Sequence, residues 1–125
     1  MNYFSDTELN CQHCGAKRFD PVFLDTLNNI RSDLGFALTV TSGYRCVDHP
    51  IESKKIEAGK PPGAHAYGKA VDIAIQGDKA IQLISTARKY GIKRIGVSQT
   101  GSKRFIHLDC CTSIDGFPSP ALWTY

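Results

Sequence analysis

No apolar run in this 125-residue chain approaches the roughly 20 residues that a bilayer-spanning helix needs, which excludes a membrane span. Blocks of like charge are missing too: 15 Lys+Arg stand against 12 Asp+Glu, a formal +3. So mild a balance gives no argument for nucleic acid, although it would not repel an anionic surface such as a bacterial wall. There is no internal repeat, Ser/Gly linker or low-complexity tract, so a single domain over residues 1–125 is expected. The opening MNYFSDTELN sets Asp6 and Glu8 where a signal peptide carries Lys and then Leu, so the chain reads as made in the cytoplasm without an export signal.

Even pairing of cysteines is also lacking. Cys11, Cys14, Cys46, Cys110 and Cys111 are five, and with no export signal they are expected to stay reduced. Cys11-x-x-Cys14 would open a zinc ribbon, but its second half is missing, because Cys110 and Cys111 are adjacent and point to opposite faces of a strand. Small buried residues are the plainer reading. A redox pair is disfavoured as well, since nothing strand-like precedes Cys11.

What is present suits a globular fold: 42% hydrophobic and 22% charged residues exclude disorder. Asp20-Pro21 has the N-cap and first-turn proline of a helix that runs to Leu34 and stops at Gly35, with Phe23, Leu24, Leu27, Ile30 and Leu34 on one face. A second helix is expected from Asp78 to Tyr90, its stripe formed by Ala80, Ile81, Ile84 and Ala87. Period-two segments at 38–42, 69–75, 94–99 and 104–110 read as strands, the last two joined by a Gly-containing hairpin link. Residues 47–64, rich in Gly, Pro and Lys, read as a long irregular loop. Two helices on one small antiparallel sheet make an α+β fold.

Alternation then separates chemistry from core. Around Asp72, the residues Val71, Ile73 and Ile75 share one strand face, and Ala70, Asp72 and Ala74 the other. Ile106 and Leu108 likewise oppose Phe105, His107 and Asp109. His65, seven residues before Asp72 in a Gly/Pro stretch, can fold back over it. Two imidazoles and a carboxylate form a zinc ligand set with a fourth position open to water, an arrangement suited to catalysis. Each residue also has a bland reading: a solvated His65, a turn-capping Asp72, and a surface pair of His107 with Asp109.

Gly63-x-His65-x-x-Gly68-x-Ala70-x-Asp72-Ile73, preceded by Ser42-Gly43-Tyr44-Arg45 and followed by Phe105-Ile106-His107-Leu108-Asp109, resembles the zinc D-alanyl-D-alanine carboxypeptidase and L-alanyl-D-glutamate endopeptidase family of peptidoglycan peptidases. The ends, Tyr3-Phe4-Ser5-x-x-Glu8-Leu9-x-Cys11-x-x-Cys14-Gly15 and Pro120-Ala121-Leu122-Trp123-Thr124-Tyr125, look like those of its small phage and prophage members. The resemblance implies helices on one face of the sheet and a zinc site on the other. It makes His65, Asp72 and His107 the ligands of Zn²⁺ and Arg45 the arginine that binds a substrate carboxylate or helps hold the polarised carbonyl. Peptidoglycan stem peptides are the implied partners, met by a monomer acting at the wall after release or carried in a virion.

The chain departs from the family pattern twice. Gly63 stands where many members have Ser, which removes one hydrogen bond around the ligands. Arg104 stands where better-studied members carry a carboxylate base, and Arg104 cannot accept a proton. Asp109 is the substitute base on the same strand face, or else the partner of a ligand histidine; His49 is a further candidate acid. The expected function is hydrolysis of a stem-peptide bond by a carboxypeptidase or an endopeptidase, in lysis or wall remodelling. The alternative is a catalytically silent zinc domain that binds wall peptides or a protein partner. A nucleic-acid-binding zinc module is disfavoured by the modest charge.

Overall fold

Capping decides where the helices begin and end in the computed structural model, which describes residues 2–125. Ser5 and Glu8 form a reciprocal capping box on the short helix α1 (Asp6–Leu9). Asp20 Oδ2 accepts the Phe23 N–H at 2.9 Å, Pro21 opens α2 (Pro21–Leu34), and Gly35 closes it in the left-handed region. The remaining elements are β1 (Thr39–Ser42), α3 (Pro50–Glu57), a one-turn 3-10 helix at Ala64–Tyr67, β2 (Ala70–Ala74), α4 (Gly77–Lys89), β3 (Arg94–Ser98), β4 (Phe105–Asp109), a 3-10 turn at Ser113–Asp115, and β5 (Ala121–Thr124).

The strands lie in the order β1-β2-β4-β3-β5, with the first four antiparallel and β5 parallel to β3. The fold is α+β as expected, but its sheet is mixed rather than antiparallel. Four residues directly after Pro118 and Pro120 gave β5 no recognisable strand pattern, and its pairing depends on β3 being at hand.

One face of the sheet is dry. Val71, Ile73, Ile95, Ile106 and Leu108 pack against Phe23, Leu27 and Ile30 of α2 and against Ala80, Leu83 and Ala87 of α4. Each fully buried large aliphatic side chain among them contributes roughly 1.5–3 kcal/mol. The α4 stripe corrects the expectation: Leu83 is wholly buried while Ile81 is 67% exposed, because the buried face runs through positions 80, 83, 84 and 87.

The expected loop over 47–64 contains a helix. Pro50 occupies the first turn of α3 and His49 caps it, its Nδ1 accepting the Ile51 N–H at 3.2 Å. The only buried residue of α3 is a glutamate, Glu52, while Ile51 and Ile56 are exposed, so no apolar stripe announces the helix. No helix among the described residues is long and apolar enough to cross a membrane.

Candidate metal centre

The sheet's second face carries the chemistry, and strand register decides which residues meet. Asp72 lies directly opposite His107 on β4, and Ala70 lies opposite Asp109. His65 arrives from the 3-10 turn before β2, which ends at Gly68 with φ +67°, a value that favours glycine. A Cβ at Gly68 would also collide with the Arg18 carbonyl, and the Gly68 carbonyl accepts the Asp20 N–H at 2.8 Å. This closely docked turn folds His65 back over Asp72.

Each imidazole is pinned by its outer nitrogen. His65 Nδ1 lies 2.7 Å from the Gly43 carbonyl, which can only accept, so the hydrogen sits on Nδ1 and Nε2 turns its lone pair inward. His107 Nε2 lies 2.7 Å from Asp109 Oδ2, which leaves Nδ1 facing inward. Both inner nitrogens meet one carboxylate oxygen: Asp72 Oδ1 is 3.3 Å from His65 Nε2 and 2.9 Å from His107 Nδ1. Three electron-rich atoms therefore face one another, all three residues are largely shielded, and their ligating atoms lie within 4.8 Å of each other. Acceptors so arranged favour a positive charge among them, a proton or a metal ion, and the donor set of two imidazoles and one carboxylate fits Zn²⁺.

The same crowding shows in proton affinities. Burial pulls His65 below its ordinary value, in spite of Asp72, and so favours the neutral imidazole. Burial acts on His107 likewise, but its hydrogen bonds to Asp109 and Asp72 outweigh it and leave His107 raised. Burial would raise Asp72, yet the two histidines hold its carboxyl far below the usual range. A proton on His107 is thus one way to supply the missing positive charge, and a metal is the other.

Arg45 borders this cluster. Its Nη2 lies 3.3 Å from Asp72 Oδ2, its Nε donates to Ser42 Oγ at 3.1 Å, and its backbone N–H donates to the His65 carbonyl at 3.1 Å. Asp109 is fully buried, and its oxygens are taken: Oδ1 accepts Arg94 Nε at 2.8 Å and the Cys111 N–H at 3.1 Å, and Oδ2 faces His107. It stands behind the His107 ring relative to Asp72. Arg94, which sequence reading did not single out, also donates to the Pro118 carbonyl at 2.7 Å and lies over Phe117 and Trp123.

Gly63 has its own partner. Its N–H donates to Glu52 Oε2 at 3.1 Å, and an added Cβ would meet Lys55 Nζ at 2.5 Å. The space that a serine side chain would need is taken by the Glu52–Lys55 pair of α3. Arg104 donates to the Gly101 carbonyl and lines the cleft.

The cleft has two lobes that share Arg45, Ile51, Asp72 and Phe105. One, of about 470 Å³, is walled by Phe117, Trp123 and Tyr125; the other, of about 580 Å³, holds Lys103, Arg104 and His49. Trp123 and Tyr125 come from or directly follow β5, and Trp123 packs 5.3 Å from the His107 ring.

Residues 2–109 match the family described as Peptidase M15. The chain belongs to that family. Membership implies zinc-dependent peptidase chemistry on peptidoglycan-type substrates, and the His65, Asp72 and His107 cluster is the candidate metal site. No curated protein matches the peptidase chain.

Proposed function

We propose that this chain hydrolyses a peptide bond within the stem peptide of bacterial peptidoglycan, with residues of the substrate lying on both sides of the cut. The observation that carries the reading is the convergence of His65 Nε2, His107 Nδ1 and Asp72 Oδ1, each imidazole held from behind, in the floor of a two-lobed cleft. Zinc, when bound, supplies the positive charge that polarises a peptide carbonyl and makes water acidic. His65, Asp72 and His107 would hold it.

Asp109 acts by orientation. It fixes the His107 ring and its tautomer, while Arg94 fixes Asp109. Arg45 exchanges Asp72 for a substrate carboxylate or for the carbonyl under attack, a task suited to a planar, permanently charged fork. Lys103 and Arg104 make the second lobe positive, which suits the carboxylates of a stem peptide. The open lobes on both sides of Asp72 favour an endopeptidase over a carboxypeptidase. Such an enzyme serves as a lysin or in wall remodelling.

One observation favours the second reading, a silent domain that binds wall peptides. Asp72 is the only carboxylate lining the two lobes among the described residues, and Arg104 takes the place of the usual base. Mass spectrometry of purified muropeptides, incubated with and without chelator, separates the cases. A stem split internally only without chelator is the expected result. Released D-alanine would make the chain a carboxypeptidase, and unchanged masses with zinc-dependent binding would make it a binder.

A further inference from the structure

The cysteines left unexplained by the sequence converge. Cys11, Cys14 and Cys46 lie with their sulfurs within 4.8 Å of one another, close to the roughly 3.8 Å that ligands on one tetrahedral zinc would show. Cys46, at the turn after Arg45, supplies the third sulfur in place of the distant Cys110-Cys111 pair. The Cys46 backbone N–H donates to Cys11 Sγ at 3.3 Å, which ties the knuckle to the turn after Arg45. Gly15, at φ +73°, closes the knuckle by donating its N–H to the Cys11 carbonyl. A disulfide would use two of the three sulfurs and strand the third.

We propose that Cys11, Cys14 and Cys46 form a second, structural zinc site, separate from the His65, Asp72 and His107 cluster. The three sulfurs leave a fourth position for water or for a neighbouring imidazole: His13 lies inside the knuckle, and His49 donates its backbone N–H to the Cys46 carbonyl, the two rings standing 6.2 Å apart. Binding displaces the three thiol protons to solvent and oxidises nothing. The site clips the N-terminal segment to the turn that carries Arg45 and to the cap of α3, and so braces one wall of the cleft.

Cobalt substitution tests this with the full, reduced chain. A three-thiolate site gives an intense near-ultraviolet sulfur-to-cobalt absorption, which a His/Asp/His site does not. Two equivalents of Co²⁺ are expected, one of them with that band. His65→Ala should remove one equivalent and keep the band, whereas Cys14→Ser, at an exposed position, should remove or strongly weaken it. Zinc should also slow the reaction of Cys14 with a thiol reagent at least tenfold. A wild-type chain that binds a single equivalent without the band, or whose Cys14 reacts equally fast with and without zinc, would overturn the proposal. Because the band is independent of His65, its loss and the failure of the sheet site are distinguishable.

Discussion

The histidine cluster and the cysteine cluster bring donor atoms together by different means. On the sheet, two ligands are fixed by antiparallel register and the third by a docked turn, and every imidazole has a second partner behind it. In the cysteine cluster, a knuckle meets a loop, and convergence depends on docking of the N-terminal segment, where Tyr44 donates its N–H to the Leu9 carbonyl at 2.9 Å. The first cluster exists because of strand geometry; the second, because separate segments are held together. Metal removal should therefore leave the sheet site in place and loosen the cysteine site.

The largest effect should come from the ligands themselves. His65→Ala or His107→Ala is expected to bring peptide cleavage to background and to weaken zinc binding at the sheet more than the ~10–100-fold typical of an outer partner. Metal titration and muropeptide analysis read both. Full retention of zinc at the sheet in either variant would dissolve the distinction between the clusters.

Asp109→Asn comes next. It should lower zinc affinity about 10–100-fold by disturbing the His107 tautomer, with little change at the cysteines. Asp109→Ala additionally leaves buried Arg94 without its counter-charge, for which about 3–5 kcal/mol of lost stability is expected in urea unfolding. An unchanged unfolding midpoint would remove Arg94 and Asp109 from the account.

Proton competition sets the third effect. Because His107 is raised, the metal-free protein gains stability that is full below the ordinary histidine value and is lost as pH rises through the raised folded value. Asp72 works oppositely: its contribution is present above the ordinary carboxyl value and is lost as pH falls through its lowered one. Zinc must displace the His107 proton, so below that raised value affinity at the sheet should fall about tenfold per pH unit. Calorimetry in buffers of different ionisation enthalpy would show the proton released; zinc affinity independent of pH between 5 and 8 would contradict it.

The smallest effect is expected at Gly63→Ala. The new methyl meets Lys55 Nζ, which belongs to a partly exposed, flexible side chain and can yield. A loss of about 1 kcal/mol or less is anticipated from the disturbed Glu52–Lys55 pair, measured by thermal unfolding. A loss of several kcal/mol would mean that Glu52 is irreplaceable beneath the turn.

These contrasts explain what was legible. Alternation in Ala70–Ala74 and Phe105–Asp109 is a local pattern, and it separated the face with Asp72, His107 and Asp109 from the core before any pairing was known. The caps of α2 are equally local. By contrast, α3 is anchored by buried Glu52 rather than by an apolar stripe, and β5 exists only through β3. Arg94 reads as a strand-end cation until Asp109 is seen beside it. Cys46 stands 35 residues from Cys11, and no spacing rule joins them.

The central claim is that His65, Asp72 and His107 grip one zinc ion. Anomalous diffraction at the zinc edge, from crystals of the wild-type chain grown with zinc, tests it most directly. A peak is expected within bonding distance of His65 Nε2, His107 Nδ1 and the Asp72 carboxylate, with Arg45 turned from Asp72 toward the cleft. Zinc present elsewhere in the same crystal with no peak among those three side chains would contradict it.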